Sequence, residues 1–160
     1  MKVYTLQDFA NNNETPEILF WVGCAGSFDP RAQKITIALA TILEKANIKF
    51  AVMGNDESCT GDPARRSGNE FLFQMMALQN IETMKMYNVE KIVTACPHCF
   101  NTLKNEYPEL GGNYDVVHHT QLIQQLIDEK KISIEGGAFE GKSIVYHDSC
   151  YLGRINGVYE

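Results

Sequence analysis

The chain has 160 residues, 44% of them hydrophobic and 21% charged, enough to bury one sizeable core. Its net charge of −6 comes with scattered basic residues, which excludes the basic surface that nucleic-acid binding requires. No apolar run reaches the ~18 residues of a direct membrane span, and residues 1–17 lack a signal-peptide pattern, so a cytoplasmic protein is expected.

Residues 1–16 are polar, carry Asn11-Asn12-Asn13 and end at Pro16, and they read as a flexible lead-in. Residues 18–22 form a short continuous apolar run, the pattern of a strand covered on both faces. Pro30 suits the first turn of a helix to about residue 46, with Ile35, Leu39, Ile42 and Leu43 on one face. Residues 49–53 are a second strand, which Gly54 ends. A helix over about 69–87 follows, with Ser67 and Asn69 as N-cap candidates. Its methionines 75, 76, 84 and 86 read as core filling.

Residues 92–95 are a third strand and lead into a helix over about 97–106. A fourth strand at 115–117 precedes a helix at 121–128. After a turn at Gly136-Gly137, residues 143–146 read as a fifth strand. This alternation predicts an α/β, Rossmann-like three-layer domain with a mostly parallel sheet of about five strands.

The chemistry lies in the cysteines. Cys24 follows the first strand, Cys59 the second, Cys96 the third and Cys150 the fifth, while Cys99 completes Cys96-Pro97-His98-Cys99. In an open parallel sheet the carboxyl ends of the strands share one edge, where ligand sites form. Structural disulfides are rare in the cytoplasm, so five cysteines point to ligation, catalysis or plain burial. A thioredoxin-type thiol-disulfide oxidoreductase would use Cys96 and Cys99 alone and leave the other thiols surplus. Four thiolates from three loops match instead what an iron–sulfur cluster or a zinc ion requires. Inert buried cysteines remain the alternative.

Written out, Cys24 is followed after thirty-odd residues by Cys59-Thr60-Gly61, and after a similar gap by Cys96-x-x-Cys99. This pattern resembles the cysteine-rich, or CCG, domain found in the B subunit of heterodisulfide reductase and in related iron–sulfur proteins. Those relatives include the glycolate- and lactate-oxidation and anaerobic glycerol-3-phosphate dehydrogenase types. WVGCAGSFDPRA, ESCTGDPARRSGNEF, ACPHCFNTLKNEYP and VVHHTQLI are also similar to the family, over about residues 17–160.

The resemblance implies an electron-transfer domain of an oxidoreductase, with Cys24, Cys59, Cys96 and Cys99 as cluster ligands. A flavoprotein or ferredoxin-type subunit would be its redox partner. A zinc-stabilised structural or interaction module without a redox role is the alternative. The family's non-cubane clusters use five cysteines, and Thr60 stands where the tandem pair has its second. A conventional 4Fe-4S cluster is therefore expected.

Family members usually carry two motifs, and His147-Asp148-Ser149-Cys150 is similar to the start of the second. The expected division is a first cysteine-rich domain over 17–142 and a truncated second motif over 143–160, with Cys150 a ligand without its partners. The fragment alone would then be an incomplete enzyme. Asp62, Arg65 and Arg66 open the loop beyond Cys59, where they either offset cluster charge and bind an anionic substrate or cap the next helix. His118 and His119 follow the fourth strand on the cysteine edge, as candidate proton donors or ligands or as structural groups.

Overall fold

The computed structural model describes residues 2–137 and 139–159; Met1 of the lead-in and Glu160 of the second motif lie outside the described residues. Four short strands form one parallel sheet: β1 (Ile18–Trp21), β2 (Phe50–Ala51), β3 (Lys91–Thr94) and β4 (Asp115–His118), in the order β2-β1-β3-β4. The α/β class and the parallel, three-layer arrangement are those expected from the alternating pattern.

Each strand alternates its side chains between two helical layers. Ile18 and Phe20 pack with Leu39 and Leu43 of α3 (Pro30–Lys45) and with Leu122 and Leu126 of α7 (His119–Asp128). Leu19 and Trp21 face Phe73, Ala77, Ile81 and Met84 of α5 (Glu70–Met86) and Phe100 of α6 (Pro97–Asn101). The short helices α2 (Gly23–Phe28) and α4 (Asp62–Arg66) fill the loops after β1 and β2. The chain leaves β1 for β2 through α3 on one face and returns to β3 through α5 on the other. The strand order therefore reverses between β1 and β3, the switch point at which open α/β sheets bind ligands.

Several expectations change. Residues 143–146 form no strand: Ile144, Val145 and Tyr146 are 65%, 95% and 75% exposed. An apolar run becomes a strand only against a ladder partner, and the sheet has four strands rather than five. Cys150 accordingly ends no strand; it opens a π-helical turn, Cys150–Ile155, that buries Leu152.

The lead-in holds a short helix, α1 (Leu6–Asn11). A capping box fastens it, with Asp8 N–H donating to Thr5 Oγ1 and Thr5 N–H to Asp8 Oδ2. Leu6 and Phe9 are buried, and Thr5 bridges to Val52 beside β2. The helix after Cys96 is α only to Asn101, then π from Thr102 to Glu106 and 3₁₀ from Tyr107 to Leu110. Of the α5 methionines only Met84 is core; Met75 and Met86 are exposed because they lie on the outer face of the layer.

Candidate metal centre

Gly23 turns the chain from β1 into α2 at φ +76°, a conformation that disfavours a side chain, and so places Cys24 at the switch edge. Glu57, on the loop after β2, accepts the N–H groups of Val22 (3.1 Å) and Gly23 (2.5 Å). One carboxylate thus ties the Cys24 turn to the Cys59 loop. Burial raises the Glu57 pKa to about 7 against the opposing pull of the two N–H groups.

The four thiols lie at one sheet edge, Cys24 and Cys59 along one cavity and Cys96 and Cys99 on one turn. Burial is the main reason the Cys59 pKa is raised. Cys96 caps α6, its Sγ accepting from Cys99 N–H at 3.5 Å. The Cys99 thiol and the N–H groups of Cys99 and His98 hold Cys96 below the ordinary thiol range. Cys99 is buried at 6% exposure, its pKa is raised by the neighbouring Cys96 thiol and by burial, and its Sγ accepts from Thr60 Oγ1 at 4.0 Å. The Gly23 turn that carries Cys24 lies beside Cys99 Sγ. All five cysteines are free of disulfides. Among the described residues no three Cys, His, Asp or Glu side chains close around a single metal ion.

Two observations fit a group held by these thiols. A Cβ added at Gly23 would lie 3.4 Å from Cys99 Sγ, so the glycine leaves the space beside the thiol clear. The indole N–H of fully buried Trp21 has no hydrogen-bond partner among the described residues and borders the same spot. A cavity of about 430 Å³ opens beside Cys24 and Cys59 and is lined also by Phe28 and Glu57. A larger one, at Tyr4, Lys49 and Phe50, lies at the start of β2, away from the thiols.

The Cys59 loop is held by residues that sequence reading missed. Asn80, fully buried on α5, donates to the Cys59 carbonyl (3.1 Å) and Tyr107 Oη (3.0 Å) and accepts from Ser58 Oγ (3.0 Å). Tyr107 Oη donates to the Thr60 carbonyl at 3.2 Å. The only signal was a polar Asn80 on the apolar stripe shared by Phe73, Ala77 and Met84. Glu57 had no local signal.

Asp62, Arg65 and Arg66 come together in a charge network. Arg66 binds Asp62 (3.1 Å) and Glu106, while Arg65 binds Glu106 (3.1 Å) and Glu109 (2.9 Å). Asp62 is buried and also meets His98 Nδ1 at 2.9 Å, which joins the network to the Cys96-x-x-Cys99 turn. Carboxylates thus occupy both guanidinium groups. Cys150 is exposed and contacts Arg154 Nη1 at 3.7 Å.

His118 is buried, with Nε2 donating to the Ala95 carbonyl (3.3 Å) and Nδ1 accepting from Thr120 Oγ1 (2.8 Å). Burial first, and then the neighbouring His119, hold its pKa down at about 4. His119 packs against it with its ring tilted by 58° and the centroids 4.3 Å apart. Between about pH 6.5 and 4 the unfolded chain therefore binds a proton that the folded His118 does not. Stability should fall as pH is lowered through this window, by up to about 1.4 kcal/mol per pH unit. Urea unfolding of His118→Gln should show a flatter slope there, and an unchanged slope would refute the assignment.

The cysteine-rich CCG domain family matches residues 18–104, a span that runs from β1 to beyond Cys99. The chain belongs to this family. It is 46% identical over 144 residues to the EtfAB:quinone oxidoreductase of Syntrophomonas wolfei, covering 90% of the chain and 20% of that protein. It is 44% identical over 159 residues to the probable iron-sulfur-binding oxidoreductase FadF of Bacillus subtilis, covering 99% and 22%. The D subunit of the dihydromethanophenazine:CoB–CoM heterodisulfide reductase of Methanosarcina barkeri is 33% identical over 149 residues, covering 89% and 36%. The CCG chain thus spans about one-fifth of the length of the first two relatives. No match was found among solved structures. No helix among the described residues is long and apolar enough to cross a membrane.

Proposed function

We propose that this CCG domain is an iron–sulfur-binding electron-transfer domain of a heterodisulfide-reductase-like oxidoreductase, with Cys24, Cys59, Cys96 and Cys99 as ligands. The observation that carries the reading is the placement of Cys24, Cys59 and Cys96 beyond the carboxyl ends of β1, β2 and β3 on one sheet edge, with Cys99 Sγ beside the Gly23 turn. Four cysteine thiolates are the ligand set of a 4Fe-4S cluster, which supplies one-electron transfer when bound. Thr60 occupies the place of a fifth thiol but hydrogen-bonds to Cys99, which favours the conventional cluster over a five-cysteine one.

The chain's own contribution is to pre-arrange the donors. Cys96 is poised toward thiolate at neutral pH, Glu57 locks two ligand loops together, and Asn80 with Tyr107 fixes the Cys59 loop from the other side. Unpaired cysteines suit a cytoplasmic, reducing setting. A flavoprotein or ferredoxin-type partner would exchange electrons at the open side beside Cys24 and Cys59. Residues 17–142 are then the first cysteine-rich domain, and Cys150 belongs to the start of a second motif. The exposed apolar run Ile144-Val145-Tyr146 just before Cys150 supports that division.

Anaerobic reconstitution with iron and sulfide tests this. The expected result is brown protein that keeps iron and acid-labile sulfide through desalting, with quenched emission from Trp21, the only tryptophan. Zinc bound in stoichiometric amount with no sulfide would replace the reading with a structural zinc module.

A further inference from the structure

Trp21 ends β1 at the switch edge, fully buried, with an indole N–H that meets no acceptor among the described residues. Buried donors are almost always paired, so an orphan of this kind marks a missing acceptor. A Cβ built at Gly23 would be 3.9 Å from Trp21 Nε1 and 3.4 Å from Cys99 Sγ. With no side chain at Gly23, the indole N–H and the thiol border the same clear space. Thr60 approaches Cys99 too: the residue is 1% exposed and its hydroxyl lies 4.0 Å from Sγ. Two donors that are not ligands therefore gather on the Cys99 side of the site, one from β1 and one from the loop after β2.

We infer that Trp21 and Thr60 set the reduction potential of the cluster by donating hydrogen bonds to its sulfurs on the Cys99 side. This rests on the reading of Cys99 as a cluster ligand. A hydrogen bond to sulfur strengthens as the sulfur gains negative charge, so it favours the reduced state and raises the potential. One electron enters from the redox partner, and the donor protons stay on Nε1 and Oγ1 in both states. Thr60 thus contributes as a hydroxyl donor at a place where a thiol would have been a ligand.

The test uses the reconstituted full chain as wild type, Trp21→Phe, Thr60→Val, Thr60→Ser and the double variant Trp21→Phe/Thr60→Val. Iron and sulfide are assayed first, and midpoint potentials are then read from an anaerobic titration followed by electron paramagnetic resonance. The expected result is loading at wild-type iron and sulfide content, with potentials shifted negative in Trp21→Phe and in Thr60→Val. The double variant should shift further, and Thr60→Ser, which keeps the hydroxyl, should return toward wild type. Loaded variants that titrate at the wild-type potential would overturn the inference while leaving the cluster reading intact. Wild-type protein that keeps no iron or sulfide would overturn both.

Discussion

Replacing Cys99 with alanine is expected to abolish the retention of iron and sulfide after reconstitution, from about four irons per chain to background. Cys99 is the most buried of the five thiols, and its Sγ lies beside the Gly23 turn and accepts from Thr60 Oγ1, so its removal takes a thiol from between the Cys24 and Cys59 loops. Cys96→Ala should lose the cluster as completely, because it removes one of the four thiolates that a 4Fe-4S cluster requires. Cys150→Ala should load like wild type, since that thiol is exposed and paired with Arg154. Circular dichroism of the unloaded variants separates a missing ligand from a missing fold. Full retention in Cys99→Ala would remove it from the ligand set.

The second large effect is on stability. Gly61 sits at φ +88° between Thr60 and buried Asp62, and its backbone packs against Phe73 of α5. An alanine Cβ there would lie 2.8 Å from Phe73 Cδ2, 3.2 Å from the Phe73 carbonyl oxygen and 3.3 Å from its Cα. The ring can swing aside, but the backbone atoms belong to a packed helix and cannot. Left-handed strain of about 1–2 kcal/mol adds to overpacking of about 1–3 kcal/mol. Gly61→Ala should therefore cost about 3 kcal/mol and lower the melting temperature by roughly 6–12 °C. Gly68→Ala is the matched control: φ is +85°, but nothing among the described residues lies within 4 Å of the added Cβ. It should cost only the strain, about 1 kcal/mol, and equal losses at the two positions would show that Phe73 yields.

The candidate site was legible because its residues are chemically distinctive and sit at punctuated places. Cys24, Cys59 and Cys96 each follow an apolar run, and an apolar run is a local signal. The supporting residues were not legible for the opposite reason. Glu57 looks like any loop carboxylate until its partners, 34 and 35 residues away, are in place. Arg65 and Arg66 read equally well as anion binders or as capping groups, and Glu106, some forty residues on, decides that they are already paired. The apolar run at 143–146 reads as a strand because its composition is that of a strand, yet no neighbour in the sheet completes it.

The sequence by itself determined the alternation of strands and helices, the parallel sheet and the delivery of thiols to its carboxyl edge. These follow from hydrophobic period and from glycine and proline, which act within a few residues. Only the tertiary structure decided that β1 lies beside β3, which brings the Cys24 and Cys96 loops together across the switch point. It alone decided that Thr60 faces Cys99 and that the Trp21 indole has no acceptor among the described residues. Strand order and the partners of buried polar groups depend on contacts between distant segments, and such contacts leave no periodic trace in the chain.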